Sequence, residues 1–165
     1  MPSAPFVYRQ TFALPSPVDE VWASLERLDD YQRWWPWLVG FELNGLAEGA
    51  TAACTVQAPL PYRLRFAVDL VEVEAGRLVD GVVSGDLAGP ARMELAPSRT
   101  GSLATLSWQL EPHGRLVRVL GATARPVLRW GHDRIVEAGL RQFASGALGL
   151  PAAPATVGDD RSPCG

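Results

Sequence analysis

The stretch from about residue 116 to residue 148 most constrains the fold, because its apolar residues recur at the spacing of one long helix. A helix of about 30 residues is roughly 45 Å long, which is enough to cross a whole sheet. The residues before it alternate between apolar and polar and are divided by tight turns, a pattern typical of antiparallel strands. Because a sheet with one apolar face must bury that face, the sequence predicts a sheet packed on the C-terminal helix.

The N-terminal part predicts one strand followed by two short helices. Phe6–Leu14 alternates weakly and ends at a proline, as an opening strand does. Ser16 and Pro17 are typical of a helix start, and we expect the Ser16 side chain to cap the first turn. Tyr31–Trp34 predicts a second helix of about one turn, since Pro36 disfavours helical geometry just before it.

Six further strands are predicted between the short helices and the long one. Strand-like runs separated by turn residues lie at about 38–43, 50–58, 62–74, 78–84, 91–95 and 103–110. The clearest run places Leu64, Phe66 and Val68 on one face and Arg63 and Arg65 on the other. The predicted order is therefore a strand, two helices, about six antiparallel strands and a long helix.

Composition and charge exclude several classes of function. The net charge of −3 argues against a nucleic-acid partner, which requires a basic face. All fifteen basic residues are arginines, so lysine-based Schiff-base chemistry is excluded. Two cysteines and two histidines do not make a zinc site. No dinucleotide-binding glycine motif or phosphate loop is present, and we expect no cofactor and no metal.

The chain predicts one globular domain, residues 1–149, followed by a disordered tail rich in proline, alanine and glycine, residues 150–165. No apolar run approaches the 18 or so residues of a membrane span. The N-terminus lacks the basic start and apolar stretch of a secretory signal, so we expect a cytoplasmic protein. The oligomeric state stays open.

Four motifs, in this order, carry a resemblance to a known superfamily. They are a Pro-Ser-Pro-Val-Asp-Glu-Val-Trp helix entry at 15–22, Trp34-Trp35-Pro36, the glycine-bounded bend at 85–89 with the late hairpin, and Trp130-Gly131-His132-Asp133. Their order and spacing resemble the START-like, helix-grip superfamily (SRPBCC), in its polyketide cyclase/dehydrase and lipid-binding branch.

The resemblance implies an α+β helix-grip fold, in which a curved antiparallel sheet of about seven strands surrounds a long C-terminal helix, with two short helices after the first strand. It also implies an apolar cavity between sheet and helix. Members of the superfamily bind lipids, polyketides and other hydrophobic molecules, and some cyclise or dehydrate bound polyketides.

Aromatic residues are the first candidates for contact with a ligand. Trp34, Trp35 and Trp37 cluster on an irregular segment that can line a cavity mouth, since tryptophan combines apolar area with one hydrogen-bond donor. A packing role for these three is the alternative. Three further aromatic residues are predicted as core or cavity wall: Tyr62, Phe66 and Trp108.

On the long helix, a step of about 100° per residue places Thr123 and Val127 on the face toward the cavity, with Trp130 bordering it. Arg134 lies seven residues after Val127, so an inward arginine is predicted as a ligand contact that binds a carboxylate or polarises a carbonyl. The alternative is that Arg134 points outward or pairs with Glu137 or Asp133. The same step predicts that His132 projects off the cavity face. Adjacent helical residues diverge, so no His132–Asp133 pair is expected.

Three functions stay open at this point. The first is binding of a small or medium hydrophobic molecule, lipid or polyketide-like, between the sheet and the C-terminal helix. The second is a polyketide cyclase/dehydratase-like enzyme that uses the same cavity, for which a convergent polar pair inside it would be the mark. The third is a partner-binding or chaperone-like module, which a large exposed apolar patch would favour. No catalytic residue is assigned.

Overall fold

A computed structural model describes residues 5–57, 63–114 and 124–149. The secondary-structure elements are β1 (Phe6–Leu14), α1 (Val18–Leu25), a 3-10 turn (Leu28–Asp30), α2 (Tyr31–Trp34), β2 (Leu38–Glu42), β3 (Thr51–Val56), β4 (Leu64–Glu74), β5 (Leu78–Gly85), β6 (Leu87–Ser98), β7 (Gly101–Pro112) and α3 (Ala124–Gly146). The one-turn helix predicted before Pro36 is present at the predicted residues. Residues 115–123, at the predicted start of the long helix, and the predicted tail at 150–165 lie outside the described residues.

The seven strands form one antiparallel sheet in the order β1-β7-β6-β5-β4-β3-β2. Strands β2 to β7 are consecutive neighbours, and β1 pairs with β7 along its whole length, from Phe6 opposite Leu110 to Leu14 opposite Ser102. A seven-stranded sheet with a C-terminal helix and short helices after the first strand confirms the predicted α+β helix-grip fold.

Strand β6 is longer than the sequence predicted. It begins at Leu87 instead of about residue 91, because the chain passes through the glycine-rich bend without leaving the sheet. Gly89 has φ of 142°, and a Cβ there would lie 2.0 Å from the carbonyl oxygen of Gln109 on β7. Only glycine fits so close to a neighbouring backbone, so this residue continues the strand.

The predicted capping of α1 by Ser16 is wrong. No side chain of the described residues caps the helix, and the Pro17 carbonyl accepts hydrogen bonds from the backbone N–H groups of Glu20 and Val21. Ser16 is buried, and its carbonyl oxygen accepts a hydrogen bond of 2.8 Å from the hydroxyl of Ser102 on β7. Ser16 therefore joins the start of α1 to the sheet, a tertiary role that helix signals alone do not predict.

The core consists of two clusters of buried apolar side chains. One joins β1, α1 and α2 to the sheet and the helix, and comprises Leu14, Val21, Trp22, Trp34, Leu95, Ala104 and Phe143. The other lies where β2, β3 and β4 meet, and comprises Leu38, Val56 and Leu64. No helix in the described part of the chain has the length and hydropathy to cross a membrane.

Candidate functional site

A cavity of about 450 Å³ lies between the concave face of the sheet and α3. The part of its wall formed by the described residues is almost entirely apolar. The lining comprises Phe6, Leu14, Val21, Leu25, Trp35, Trp37, Val56, Leu64, Phe66, Val68, Val83, Leu87, Ala91, Met93, Leu95, Ala104, Leu106, Trp108, Leu110, Pro112, His132, Ile135, Val136, Gly139, Leu140 and Phe143. Within the described lining, His132 is the one side chain that can carry a charge.

The two periodicities of the backbone explain which residues reach the cavity. Alternate residues of β4, from Leu64 to Val68, and of β7, from Ala104 to Leu110, point inward. On α3 the lining residues recur at three- and four-residue steps, from His132 to Phe143, which makes one stripe along the helix. Arg65 lies on the opposite, exposed face of β4, as its position in the alternation requires.

The segment of Trp34, Trp35 and Trp37 attaches α3 to the rest of the domain. The Trp35 indole N–H donates to the Gly139 carbonyl oxygen at 2.9 Å, and the Trp37 indole N–H donates to the Gln142 side-chain oxygen at 2.9 Å. Both rings also line the cavity. These two tryptophans therefore join the cavity wall to the helix that closes it.

Trp34 has a different position from its two neighbours. Its side chain is 5% exposed, packs edge-on against Phe143 with ring centroids 5.8 Å apart, and is not part of the cavity lining. Its indole N–H has no hydrogen-bond partner among the described residues. Trp34 thus belongs to the core beneath the helix.

Two glycines on one face of α3 make room for the tryptophans. Gly139 and Gly146 are seven residues apart, which is about two helical turns. A Cβ at Gly139 would lie 3.4 Å from the Trp37 ring, an ordinary contact, whereas a Cβ at Gly146 would lie only 2.7 Å from Cδ1 of Trp34. The close approach at Gly146 lets the end of the helix rest directly on the buried ring.

Three aromatic side chains surround His132 at the other end of the helix stripe. The Trp108 indole N–H donates to Nε2 of His132 at 3.0 Å. Tyr8 stacks on Trp108 with ring centroids 4.5 Å apart, and Phe6 meets the imidazole edge-on at 4.7 Å. These four residues, Phe6, Tyr8, Trp108 and His132, are called the histidine cluster below.

The hydrogen bonds of His132 determine its tautomer. An indole N–H only donates, so Nε2 is an acceptor and the neutral ring carries its proton on Nδ1. Nδ1 lies 3.2 Å from Oδ1 of Asp133, which accepts that proton's hydrogen bond. Both ring nitrogens are therefore satisfied when the histidine is neutral, and protonation of Nε2 would break the bond to Trp108.

Burial determines the titration of the histidine cluster. Removal from water lowers the pKa of His132, although Asp133 opposes the shift. Burial, reinforced by the negative charge of Asp133, raises the pKa of Tyr8 to about 12. Both groups are therefore neutral at physiological pH, and this end of the cavity offers polar atoms without net charge.

The lowered pKa of His132 predicts a loss of stability in acid. The unfolded chain takes up the proton near pH 6.5 and the folded protein only at lower pH, so the free energy of unfolding should decrease as the pH falls below about 6.5. Denaturant titrations between pH 5 and pH 8 measure this.

Tyr8, Asp133 and Arg129 also surround the imidazole of His132. The control is therefore His132→Phe, because it removes the imidazole and keeps these three groups. The pH dependence should be smaller in this variant. If the free energy of unfolding changes with pH to the same extent in both proteins, the pH dependence does not come from His132.

Four of the aromatic residues predicted as ligand contacts line the cavity: Trp35, Trp37, Phe66 and Trp108. Trp34 does not. Of the other predicted contacts, Tyr62 and Thr123 lie outside the described residues, as do the side chains of Val127 and Trp130.

Two predictions on the long helix are wrong. Arg134 is exposed and is not part of the lining, so the predicted inward arginine is absent. His132, predicted to point away, lines the cavity and pairs with Asp133. The inner face of α3 follows the lining stripe from His132 to Phe143, and a phase counted from residue 116 does not coincide with that stripe. The stripe of Ile135, Leu140 and Phe143, traced backward in steps of three and four, would have led to His132.

A comparison with protein families identifies the chain. Residues 6–147 match the model of the family described as polyketide cyclase / dehydrase and lipid transport. The chain belongs to this family. That result confirms the resemblance drawn from the sequence motifs. No curated protein matches the sequence.

Solved structures of the same fold have very different sequences. The Zhui aromatase/cyclase from Streptomyces sp. R1128 superposes with a TM-score of 0.72 at 13% identity, covering 87% of this chain and 94% of that one. The protein TTHA0849 from Thermus thermophilus superposes with a TM-score of 0.67 at 12% identity, covering 90% and 99%. Such similarity indicates a shared fold.

Two further similar structures are larger. The di-domain ARO/CYC BexL from the BE-7585A biosynthetic pathway has a TM-score of 0.70 at 16% identity, with 91% of this chain covered. The chain spans about half the length of BexL and of the di-domain ARO/CYC StfQ from the steffimycin pathway, 52% and 51% respectively.

Among the described residues of the present chain, no group of three or more His, Cys, Asp or Glu side chains is placed to hold a metal ion.

Proposed function

We propose that this protein binds a small or medium hydrophobic molecule in the cavity between the sheet and α3. The observation that carries the proposal is the cavity itself, about 450 Å³, whose described lining consists of aliphatic and aromatic side chains and one histidine. Sites for small molecules are typically apolar hollows of about 300–1,000 Å³ with few polar groups. The family to which the chain belongs supports the same function.

Binding would be driven by the removal of apolar surface from water, at about 25 cal/mol for each Å² buried. The described lining contains no arginine, aspartate or glutamate, and a charged ligand would lose its hydration without a compensating partner. The cavity therefore favours an uncharged ligand.

A cyclase/dehydratase-like enzyme is the second candidate, favoured by His132 in the cavity wall and by the family. Acid–base chemistry on a bound substrate requires a group that can exchange a proton. Within the described lining only His132 offers one, and no second ionisable side chain lies there to form the convergent pair that would mark such an enzyme. Binding without reaction needs no such exchange, and we therefore place it first.

The observations favour a partner-binding module less. The large apolar side chains that are exposed in the described part of the chain are four valines on four different strands, with Val7 and Val39 at opposite edges of the sheet. Scattered single residues of this kind are ordinary on protein surfaces.

Fluorescence titration with N-phenyl-1-naphthylamine, an uncharged dye that brightens on leaving water, tests the proposed function. The wild-type protein should bind the dye. Ala91→Phe, which adds a ring to the cavity wall on β6, should weaken binding by about tenfold or more. Native mass spectrometry of protein purified from its own host should detect a bound small molecule.

Ala96→Phe is the matched control, because Ala96 is exposed and lies on the same strand with its side chain outside the lining. This variant should bind the dye as the wild type does. The proposed function fails if the wild-type protein neither binds the dye nor carries a small molecule, or if both variants bind the dye as tightly as the wild type.

A further inference from the structure

The polar atoms in the described cavity wall differ in their hydrogen-bond partners. The indole N–H groups of Trp35 and Trp37 are bonded to the helix, at Gly139 and Gln142. The pair formed by the Trp108 N–H and Nε2 of His132 is different, because it joins two side chains that both line the cavity and that belong to different elements, β7 and α3. This pair is the place where a ligand can exchange hydrogen bonds with the wall.

A group that separates Trp108 from His132 has to satisfy both. Trp108 can only donate, and Nε2 of neutral His132 can only accept. An inserted group must therefore accept one hydrogen bond and donate another. A hydroxyl does both, whereas an ether, a ketone or a carboxylate only accepts and leaves Nε2 without a partner, at the cost of an unsatisfied buried polar atom.

We propose that the cavity selects an otherwise apolar molecule that carries a hydroxyl group, an alcohol or a phenol, and that this hydroxyl inserts between the Trp108 N–H and Nε2 of His132. The inference rests on the proposed function. It adds the chemical class of the ligand and the two atoms that orient it.

The neighbours of Trp108 and His132 hold both rings in place when a ligand hydroxyl separates them. Tyr8, outside the lining, lies opposite Trp108 on the neighbouring strand β1 and stacks on the indole at 4.5 Å. Asp133 holds the opposite nitrogen of His132 at 3.2 Å. With both rings held by these contacts, the one hydrogen bond broken on insertion is replaced by two, so the Trp108 N–H and Nε2 of His132 both keep a partner when the hydroxyl is bound.

The test compares 2-naphthol with 2-methoxynaphthalene as competitors of N-phenyl-1-naphthylamine at neutral pH. The quantity measured is the Kd of the ether divided by the Kd of the naphthol. In His132→Phe this ratio should fall about tenfold, because the acceptor for the naphthol hydroxyl is lost. The Trp108 N–H can still donate to the oxygen of either probe. The hydration of the two probes cancels when the same ratio is compared between proteins.

Trp108→Phe is the second variant, and its expected effect is opposite. Nε2 then lacks its donor and takes the naphthol hydroxyl directly, so the ratio should stay the same or rise. A ratio unchanged within about twofold in His132→Phe, or a fall in Trp108→Phe should the first variant fail to fold, overturns the inference. If the wild-type protein neither binds the dye nor carries a small molecule, the proposed function fails as well. If it binds the dye but neither probe displaces it, or if both probes displace it and the ratio is unchanged in His132→Phe, the inference alone is overturned.

Discussion

Replacement of Trp34 by alanine should lower the free energy of unfolding by about 3–5 kcal/mol, as expected for removal of a large buried aromatic side chain. The ring is 5% exposed and packs against Phe143 and the end of α3. The guanidinium of Arg27 also lies 4.9 Å from its centre. Urea denaturation followed by circular dichroism measures the loss.

Trp34→Phe is the matched control. Because the Trp34 N–H has no partner among the described residues, replacement by phenylalanine removes no hydrogen bond to any of them. The cost should be well below that of alanine, in the range of about 1–2 kcal/mol for partial loss of packing. Equal losses for the two variants would mean that the N–H group, not the ring, stabilises the contact.

Replacement of Gly146 by alanine should destabilise the protein by about 1–3 kcal/mol, although alanine favours the helix. The added Cβ would lie 2.7 Å from Cδ1 of Trp34, and a ring so deeply buried has little space to move. The helix end must therefore shift away from the core. Thermal and chemical denaturation provide the measurement.

Gly139→Ala is the control on the same helix face. Its Cβ would make ordinary contacts, 3.4 Å from Trp37 and 3.7 Å from Trp35, so the gain in helix propensity of up to about 1 kcal/mol should prevail. Combining Gly146→Ala with Trp34→Ala should remove most of the added penalty, since the clash partner is gone. Additive losses in the double variant would contradict a direct contact between the two residues.

The alternation of apolar and polar residues was a reliable guide to the strands. In β4 and β7 the inner face follows from the period of two, so Phe66 and Trp108 could be assigned to one face before any contact was known. Turn residues located most boundaries. They misplaced the start of β6, because Gly89 marks a close approach to Gln109 on the neighbouring strand and not the end of a strand.

The sequence predicts the long helix but not which of its faces is turned toward the sheet. Its existence follows from the apolar stripe, but the direction of each side chain depends on a phase that accumulates along the helix. Counting from residue 116 assigned the inner face to Arg134, whereas the packing of Gly139 and Gly146 on the tryptophans turns His132 inward. Sequence periodicity does not report which residues of a neighbouring element touch the helix.

The sequence by itself determined the class of fold, the order of the elements and the family, because these follow from local periodicity and from motifs at fixed spacing. Only the tertiary structure decided the polar end of the cavity. Trp108 and His132 are 24 residues apart, and their hydrogen bond exists because the sheet and the helix meet there. Which donor faces which acceptor is a property of packing between elements, and that packing is invisible to a pattern within any one of them.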